Sequence, residues 1–348
     1  MIEAIPPLAV GIVGAGGMGR RHAHNLHRKI KGATVAGIYD LDAGRTGQVA
    51  AECGAAVFAD PYELIADERI DAVLIASPDD THADFVLACL RHHKPVLCEK
   101  PLATNPADAR RIVEAEAAGG RKMVTVGFMR RFDPYHVAVK EAVASGSLGQ
   151  PVLFRGIHRN AQAAPDLPRH LIVTGSAVHD VDSARWLLQQ EVEEVFAHGR
   201  RIDPAVADGA IDLLLLQLSM SGNCLATIEV YISARYGYEV VAEIAGERGA
   251  AVTAAPNLAI LLRQRRRAAA IHGEWLERFQ DAYVIELEEW LQSLRGRPFT
   301  GASAWDGTVA LVVAEACIDS LHSGQPQGIR IAAKPGLYGE QWTVNSGQ

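Results

Sequence analysis

Leu8-Ala9-Val10-Gly11-Ile12-Val13 runs directly into Gly14-Ala15-Gly16-Gly17-Met18-Gly19, and a second apolar run, Ala36-Gly37-Ile38-Tyr39, ends in Asp40. The order strand, Gly-x-Gly-x-x-Gly, helix, strand, acid gives each residue a task. Gly14 permits a tight turn, Gly16 lets the backbone approach a pyrophosphate, and Gly19 lets the helix pack close to the strand. Gly17 and Met18 open the helix, where unpaired N–H groups and a positive dipole end favour phosphate. Asp40 lies about 20 residues on, where an acid accepts hydrogen bonds from ribose hydroxyls and repels a 2′-phosphate. The expectation is a dinucleotide fold that takes NAD rather than NADP.

The same alternation continues outward. Ala33–Tyr39, Asp71–Ala76, Pro95–Cys98 and Met123–Phe128 read as strands; Asp42–Glu52, Thr81–His92 and Pro106–Ala118 read as helices. Continuous apolar strands between amphipathic helices specify a parallel sheet covered on both faces. Ligands then bind beyond the carboxyl ends of the strands, so the loops after Gly14, Asp40, Ala76, Cys98 and Phe128 should share one crevice. From about residue 150 the pattern changes. Val152–Ile157, Glu193–Arg200, Ala210–Leu218, Asn223–Ile232, Glu239–Ala245 and Ala250–Ala254 follow one another with short turns, which implies a largely antiparallel sheet. Its helices would come from Ala177–Leu188, Glu274–Leu294 and Trp305–His322. The fold expected is α/β: a Rossmann dinucleotide-binding domain over residues 1–128, then an α+β domain with an open sheet over residues 129–348. Residues 325–348 read as a surface tail.

Composition narrows the function. The chain has 348 residues, is 49% hydrophobic and 22% charged, and carries a formal net charge of −7. No basic face for a nucleic acid is indicated. No apolar run is long enough for a membrane span. The cysteines, at 53, 89, 98, 224 and 317, are scattered without a Cys-x-x-Cys pair and read as reduced cytoplasmic thiols. His22, His24 and His27 lie on one helix without an acid or cysteine to complete a metal set, so no metal is expected. Arg263 with Arg265-Arg266-Arg267 reads as a solvated turn, and a Gly-x-Ser-x-Gly hydrolase elbow is absent.

Two residues have positions suited to proton chemistry. Lys100, in Glu99-Lys100-Pro101 after a short strand, should project into the cofactor crevice, where a lysine can steady a substrate hydroxyl as hydride leaves. Pro101 restricts its conformation and admits a cis bond. His179, in Val178-His179-Asp180-Val181-Asp182, enters a helix and can act as a base near neutral pH.

Together these residues resemble the Gfo/Idh/MocA oxidoreductase family. The broad carriers are the glycine motif, Ala76-Ser77-Pro78 with Thr81-His82, and Glu99-Lys100-Pro101. Narrower ones point to its cyclitol branch: Met129-Arg130-Arg131, His158-Arg159-Asn160 and Tyr236-Gly237-Tyr238. Val178-His179-Asp180-Val181-Asp182, Trp275 with Arg278-Phe279 and Tyr283, and Ala304-Trp305-Asp306-Gly307 carry the resemblance further along the chain. The resemblance implies NAD held by the glycine loop, Asp40, Ser77, Pro78, His82, Glu99 and Lys100. It implies oxidation of a ring hydroxyl of an inositol or related sugar, with His179 as base assisted by Lys100. Arg130, His158, Asn160, Tyr236 or Tyr238, Trp275 and Tyr283 would bind the other hydroxyls, and the assembly would be a homotetramer. One position departs from the family pattern: where an aspartate commonly precedes the histidine by four residues, this chain has Gly175. Three outcomes stay open: His179 and Lys100 suffice, another carboxylate such as Asp166 reaches in, or the pocket takes another sugar or glycoside derivative. A non-catalytic NAD-binding regulator is the remaining alternative.

Overall fold

The computed structural model describes residues 6–163, 170–253 and 260–339. Asp166 and Ala254 lie outside them. The first half runs β1 (Leu8–Val13), α1 (Gly17–Arg28), β2 (Ala33–Tyr39), α2 (Ala43–Cys53), β3 (Ala56–Val57), α3 (Pro61–Ala66), β4 (Ala72–Ile75), α4 (His82–Arg91), β5 (Val96–Glu99), α5 (Pro106–Ala118), β6 (Val124–Gly127) and α6 (Pro134–Ala144). Then come β7 (Pro151–Arg159), α7 (Val178–Leu188), β8 (Val192–Arg200), β9 (Leu213–Met220), β10 (Cys224–Tyr231), β11 (Glu239–Gly246) and β12 (Ala250–Val252). The rest is β13 (Ile260–Arg263), β14 (Arg266–Ala269), α8 (Trp275–Arg278), α9 (Gln280–Leu294), β15 (Ala302–Ser303), α10 (Ala304–Ser323) and β16 (Gln327–Gly328).

Helix starts follow local chemistry. Asp60, Asn105 and Asp133 each cap a helix by accepting a backbone N–H, and Pro61, Pro106 and Pro134 follow them, where a missing N–H costs nothing.

The first compact unit comprises residues 1–129, 281–311 and 333–340. Its seven-stranded sheet has the order β15-β6-β5-β4-β1-β2-β3. All pairs are parallel except β15 with β6. Strand order reverses between β1 and β4, the switch point where such sheets bind ligands. The core joins Val10, Ile12, Leu26, Ile38, Leu74 and Leu97 to Leu287, Trp290 and Leu291 of α9. That burial brings a C-terminal segment into the first unit, a departure from the simple division at residues 128 and 129.

Among the described residues, the second unit takes in those within 130–280 and 312–332. Its seven-stranded sheet, β12-β11-β7-β10-β9-β8-β16, is antiparallel except for β7 with β10. Burial alternates along the strands: Leu214, Leu216 and Leu218 are buried while Leu215 and Gln217 are exposed.

Several boundaries differ from expectation. The strand expected from Ala210 begins at Leu213, because Ala210 closes a turn on Ala207. The helix expected over Glu274–Leu294 is two helices separated at Phe279. The arginine run is a hairpin, with Gln264 and Arg265 at φ 51° and 60° in its two-residue turn. The helix expected from Ala177 is preceded by a π-helical segment, Ile172–Ala177.

Candidate active site

The first unit assembles a cradle at the switch point. Gly14 has φ 100°, and a Cβ there would meet the Ala76–Ser77 backbone at the end of β4. A Cβ on Gly19 would overlap the Gly14 carbonyl. Both positions therefore require glycine. Gly17 has nothing within 4 Å of a Cβ position, so the approach to the helix start is open. No side chain caps α1 and no acid stands in its first turn, which leaves its positive end to a phosphate. Met18 is half-buried beside it. Asp40 is fixed at the end of β2: Ala15 N–H donates to its Oδ2 at 2.7 Å and Asp42 N–H to its Oδ1 at 2.9 Å. Arg45 stands beside this carboxylate. The open glycine turn, bare helix start and fixed acid fit a dinucleotide.

Ser77, Pro78 and His82 shape the next loop. The Ser77 hydroxyl lies 2.6 Å from that of Thr81, and Pro78 C=O accepts from Thr81 N–H at 2.9 Å. His82 is buried, with ring nitrogens 2.7 Å from Pro101 O and 2.9 Å from Ser77 O. It ties the loops after β4 and β5 together. Lys100 is half-buried in the second of these loops, and the Lys100–Pro101 peptide is cis. Glu99 sits beneath it, accepting from Lys100 N–H at 3.3 Å and meeting His22 Nε2 at 2.8 Å. Tyr283 is buried in this same unit, edge-on to His22 at 5.8 Å. Glu286 is fully buried nearby; burial, and then the Glu99 charge, push its carboxyl well above the usual range.

The second unit gathers a different cluster. His179 is buried at the start of α7, and Ser183 Oγ–H donates to its carbonyl at 2.8 Å. Its neighbour Asp180 accepts from Arg130 Nη1 at 2.6 Å and meets His158 Nδ1 at 2.9 Å. Burial works against this carboxylate, but Arg130 and His158 hold it below the ordinary value. Tyr238 stacks edge-on to His158 at 5.9 Å, and burial pushes its phenol up to about 12. Arg130, His158 and Tyr238 are thus brought together around Asp180. Tyr236 is separated from them: it is half-exposed, accepts from Arg159 Nη1 at 2.9 Å, and donates to Glu239 at 2.7 Å. Asn160 places a buried Oδ1 without a hydrogen-bond partner among the described residues. Gly175 sits in the π-helical segment, where, among the described residues, a Cβ would meet the Leu171 side chain at 2.9 and 3.2 Å. Trp275 opens α8, and Arg278 of that helix makes a two-pronged contact with Asp133 at 2.7 and 3.0 Å.

Sequence reasoning missed Asp180, His22 and Asp133 as partners. Asp180 had a signal, since it adjoins His179. His22 meets Glu99 across 77 residues, and no local pattern shows that.

A profile of the oxidoreductase family with an NAD-binding Rossmann fold matches residues 8–128, and one of the GFO/IDH/MocA C-terminal domain matches residues 136–252. The chain belongs to the GFO/IDH/MocA oxidoreductase family, and its first unit is an NAD-binding Rossmann fold. It is 50% identical to inositol 2-dehydrogenase of Rubrobacter xylanophilus over 332 residues, 95% of this chain and 96% of that protein. It is 42% identical to inositol 2-dehydrogenase 2 of Saccharopolyspora erythraea, over 94% of this chain and 97% of that protein. Among solved structures it resembles myo-inositol dehydrogenase from Lactobacillus casei in complex with NAD(H) and myo-inositol. That likeness has a TM-score of 0.91 and 32% identity, covering 95% of this chain and 99% of that one.

Proposed function

We propose that the protein is an NAD-dependent dehydrogenase that oxidises a ring hydroxyl of an inositol or closely related sugar to the ketone. The observation that carries this reading is the likeness, along 95% of the chain, to proteins described as inositol dehydrogenases. A bound NAD supplies the hydride acceptor. The glycine turn, the α1 start and Asp40 hold it, with the loops bearing Ser77, Pro78 and His82 completing the cradle. Lys100 orients the reacting hydroxyl and stabilises the developing alkoxide, while His179 takes the hydroxyl proton. Asp180 anchors Arg130 and His158 beside it. Asn160 Oδ1, buried and without a hydrogen-bond partner among the described residues, suits a substrate hydroxyl. Of the alternatives Tyr236 and Tyr238, the buried Tyr238 beside His158 is the one assigned, with Trp275 and Tyr283, to hydroxyl recognition, because Tyr236 is held by Arg159 and Glu239. An uncharged polyol needs several directional hydrogen bonds of this kind rather than one ion pair.

The test mixes purified protein with NAD and a panel of inositols and monosaccharides and follows the absorbance of reduced cofactor. Turnover that falls by about 10²–10⁴-fold in Lys100→Ala and His179→Ala, with NAD affinity retained, supports the roles given. No turnover above the Lys100→Ala control across the panel defeats the reading. A second substrate class, a glycoside or amino sugar, follows from glycine rather than a carboxylate at position 175, where a Cβ would meet, among the described residues, the exposed Leu171 side chain. Product analysis separates the two: net bond cleavage with NAD retained marks the second, simple ketone formation the first.

The protein is assigned to the cytoplasm, in keeping with five free, buried cysteines. It is assigned a homotetramer built through the second unit's sheet, whose outer face exposes Val152, Leu215 and Leu225. Light scattering at the monomer mass would exclude that assembly.

A further inference from the structure

Arg45 stands in the first turn of α2, beside the acid assigned to the adenosine ribose. Its guanidinium is 3.4 Å from the Asp40 carboxylate and 3.5 Å from that of Asp42. Its Nη1 also lies 3.9 Å from the Cβ position of Gly16, so the cation overhangs the glycine turn. The two side chains are held very differently. Asp40 is 10% exposed and gripped by two backbone N–H groups, from Ala15 and Asp42. Arg45 is 47% exposed, and its ion pairs are long. Exposed pairs of that kind are weak, so the guanidinium can turn toward another anion at little cost.

We propose that Arg45 is a second determinant of cofactor choice, a latent 2′-phosphate ligand whose charge opposes that of Asp40. In the native chain two carboxylates flank one guanidinium, and the local charge is negative. A 2′-phosphate arriving at Asp40 meets net repulsion, which favours NAD. Without the Asp40 charge, Asp42 and Arg45 balance. A planar donor fork then faces the place where the 2′-phosphate would lie, a geometry suited to two-pronged phosphate binding. One substitution at Asp40 therefore opens the protein to NADP, and Arg45 is the residue that makes it sufficient.

This inference rests on Asp40 as the ribose-reading acid, and the experiment separates the two claims. Dissociation constants for NADH and NADPH are measured by fluorescence titration of the intact protein at fixed ionic strength. Wild type, Asp40→Asn, Arg45→Ala and the double variant are compared, with thermal melts as the folding control. Asp40→Ser is a second variant, in case asparagine disturbs the Asp42 N–H contact. NADPH binding should tighten roughly ten- to hundred-fold in Asp40→Asn, the range of a charge-assisted contact, and most of that gain should vanish in the double variant. Arg45→Ala alone should weaken NADPH while changing NADH by only about two- to threefold, as expected of an exposed pair. A gain for NADPH that survives in the double variant overturns the role of Arg45 while leaving Asp40 in place. Unchanged affinities for both cofactors in Asp40→Asn and Asp40→Ser overturn the placement of Asp40, and the inference with it.

Discussion

The turn at Gly14–Gly19 and the segment Ile172–Ala177 each lead into a helix, and each contains glycine, yet their glycines differ in kind. A side chain at Gly14 or Gly19 would run into main chain: the Ala76–Ser77 backbone in one case and the Gly14 carbonyl in the other. Among the described residues, a side chain at Gly175 would meet Leu171, which is itself exposed and can move. The cofactor turn is therefore fixed by backbone sterics, whereas position 175 has room to vary.

The sharpest break of this comparison pairs Gly14→Val with Gly175→Ala. Gly14→Val combines a backbone collision with a φ of 100° that β-branched residues avoid. It should cost on the order of 5 kcal/mol and abolish NAD binding. Gly175→Ala should cost less than about 1 kcal/mol and leave NAD affinity unchanged. Urea melts and calorimetry read both, and similar losses in the two variants would dissolve the distinction.

A second test addresses what holds the second unit's buried cluster in place of backbone sterics. Asp180→Ala leaves the buried Arg130 without its carboxylate partner, and breaking such a pair typically costs about 3–4 kcal/mol. Asp180→Asn should cost less, because it keeps an acceptor. Equal losses would mean that charge, rather than hydrogen bonding, sets the position of Arg130.

These two regions were not equally legible in the sequence. The Rossmann unit could be read because its signals are local: the glycine spacing, the apolar runs and Asp40 all lie within residues 8–40. Its α9 component could not, since Leu287 and Trp290 join a core whose other members are far away in the chain. The second unit depends on pairs made by folding. Arg130 meets Asp180 across 50 residues and Asp133 meets Arg278 across 145, spacings that carry no periodicity. The π-helical segment also escaped detection, because its apolar pattern suits an α-helix equally well. Lys100 and His179 were legible as residue types beside turn and helix signals, but the buried supports around them were not.

Acid should act on the second unit through Asp133. Burial opposes its charge, yet His136 and Arg278 hold its carboxyl down at about 2, against an ordinary 3.8. A depressed acid contributes its full stability above the unfolded value and loses it as pH falls through the folded one. Stability should therefore drop by about 2 kcal/mol between pH 4 and pH 2. Asp133→Asn should lack that component of the acid slope in urea melts, and an unchanged slope would remove Asp133 as its source.

The smallest effect on stability, and the finest test of the contrast, is expected from Gly175→Asp. Leu171 must yield a few tenths of an ångström, so the cost should stay below about 1 kcal/mol. Residues 175 and 179 are four apart where the π-helical segment passes into α7, a spacing that places side chains on one helix face. A carboxylate on that face favours a protonated imidazole over a neutral one. With His179 as the proposed base, which acts only when unprotonated, the acid limb of the kcat/KM profile should move to higher pH. A limb that stays in place while stability is retained would show that position 175 does not face the histidine.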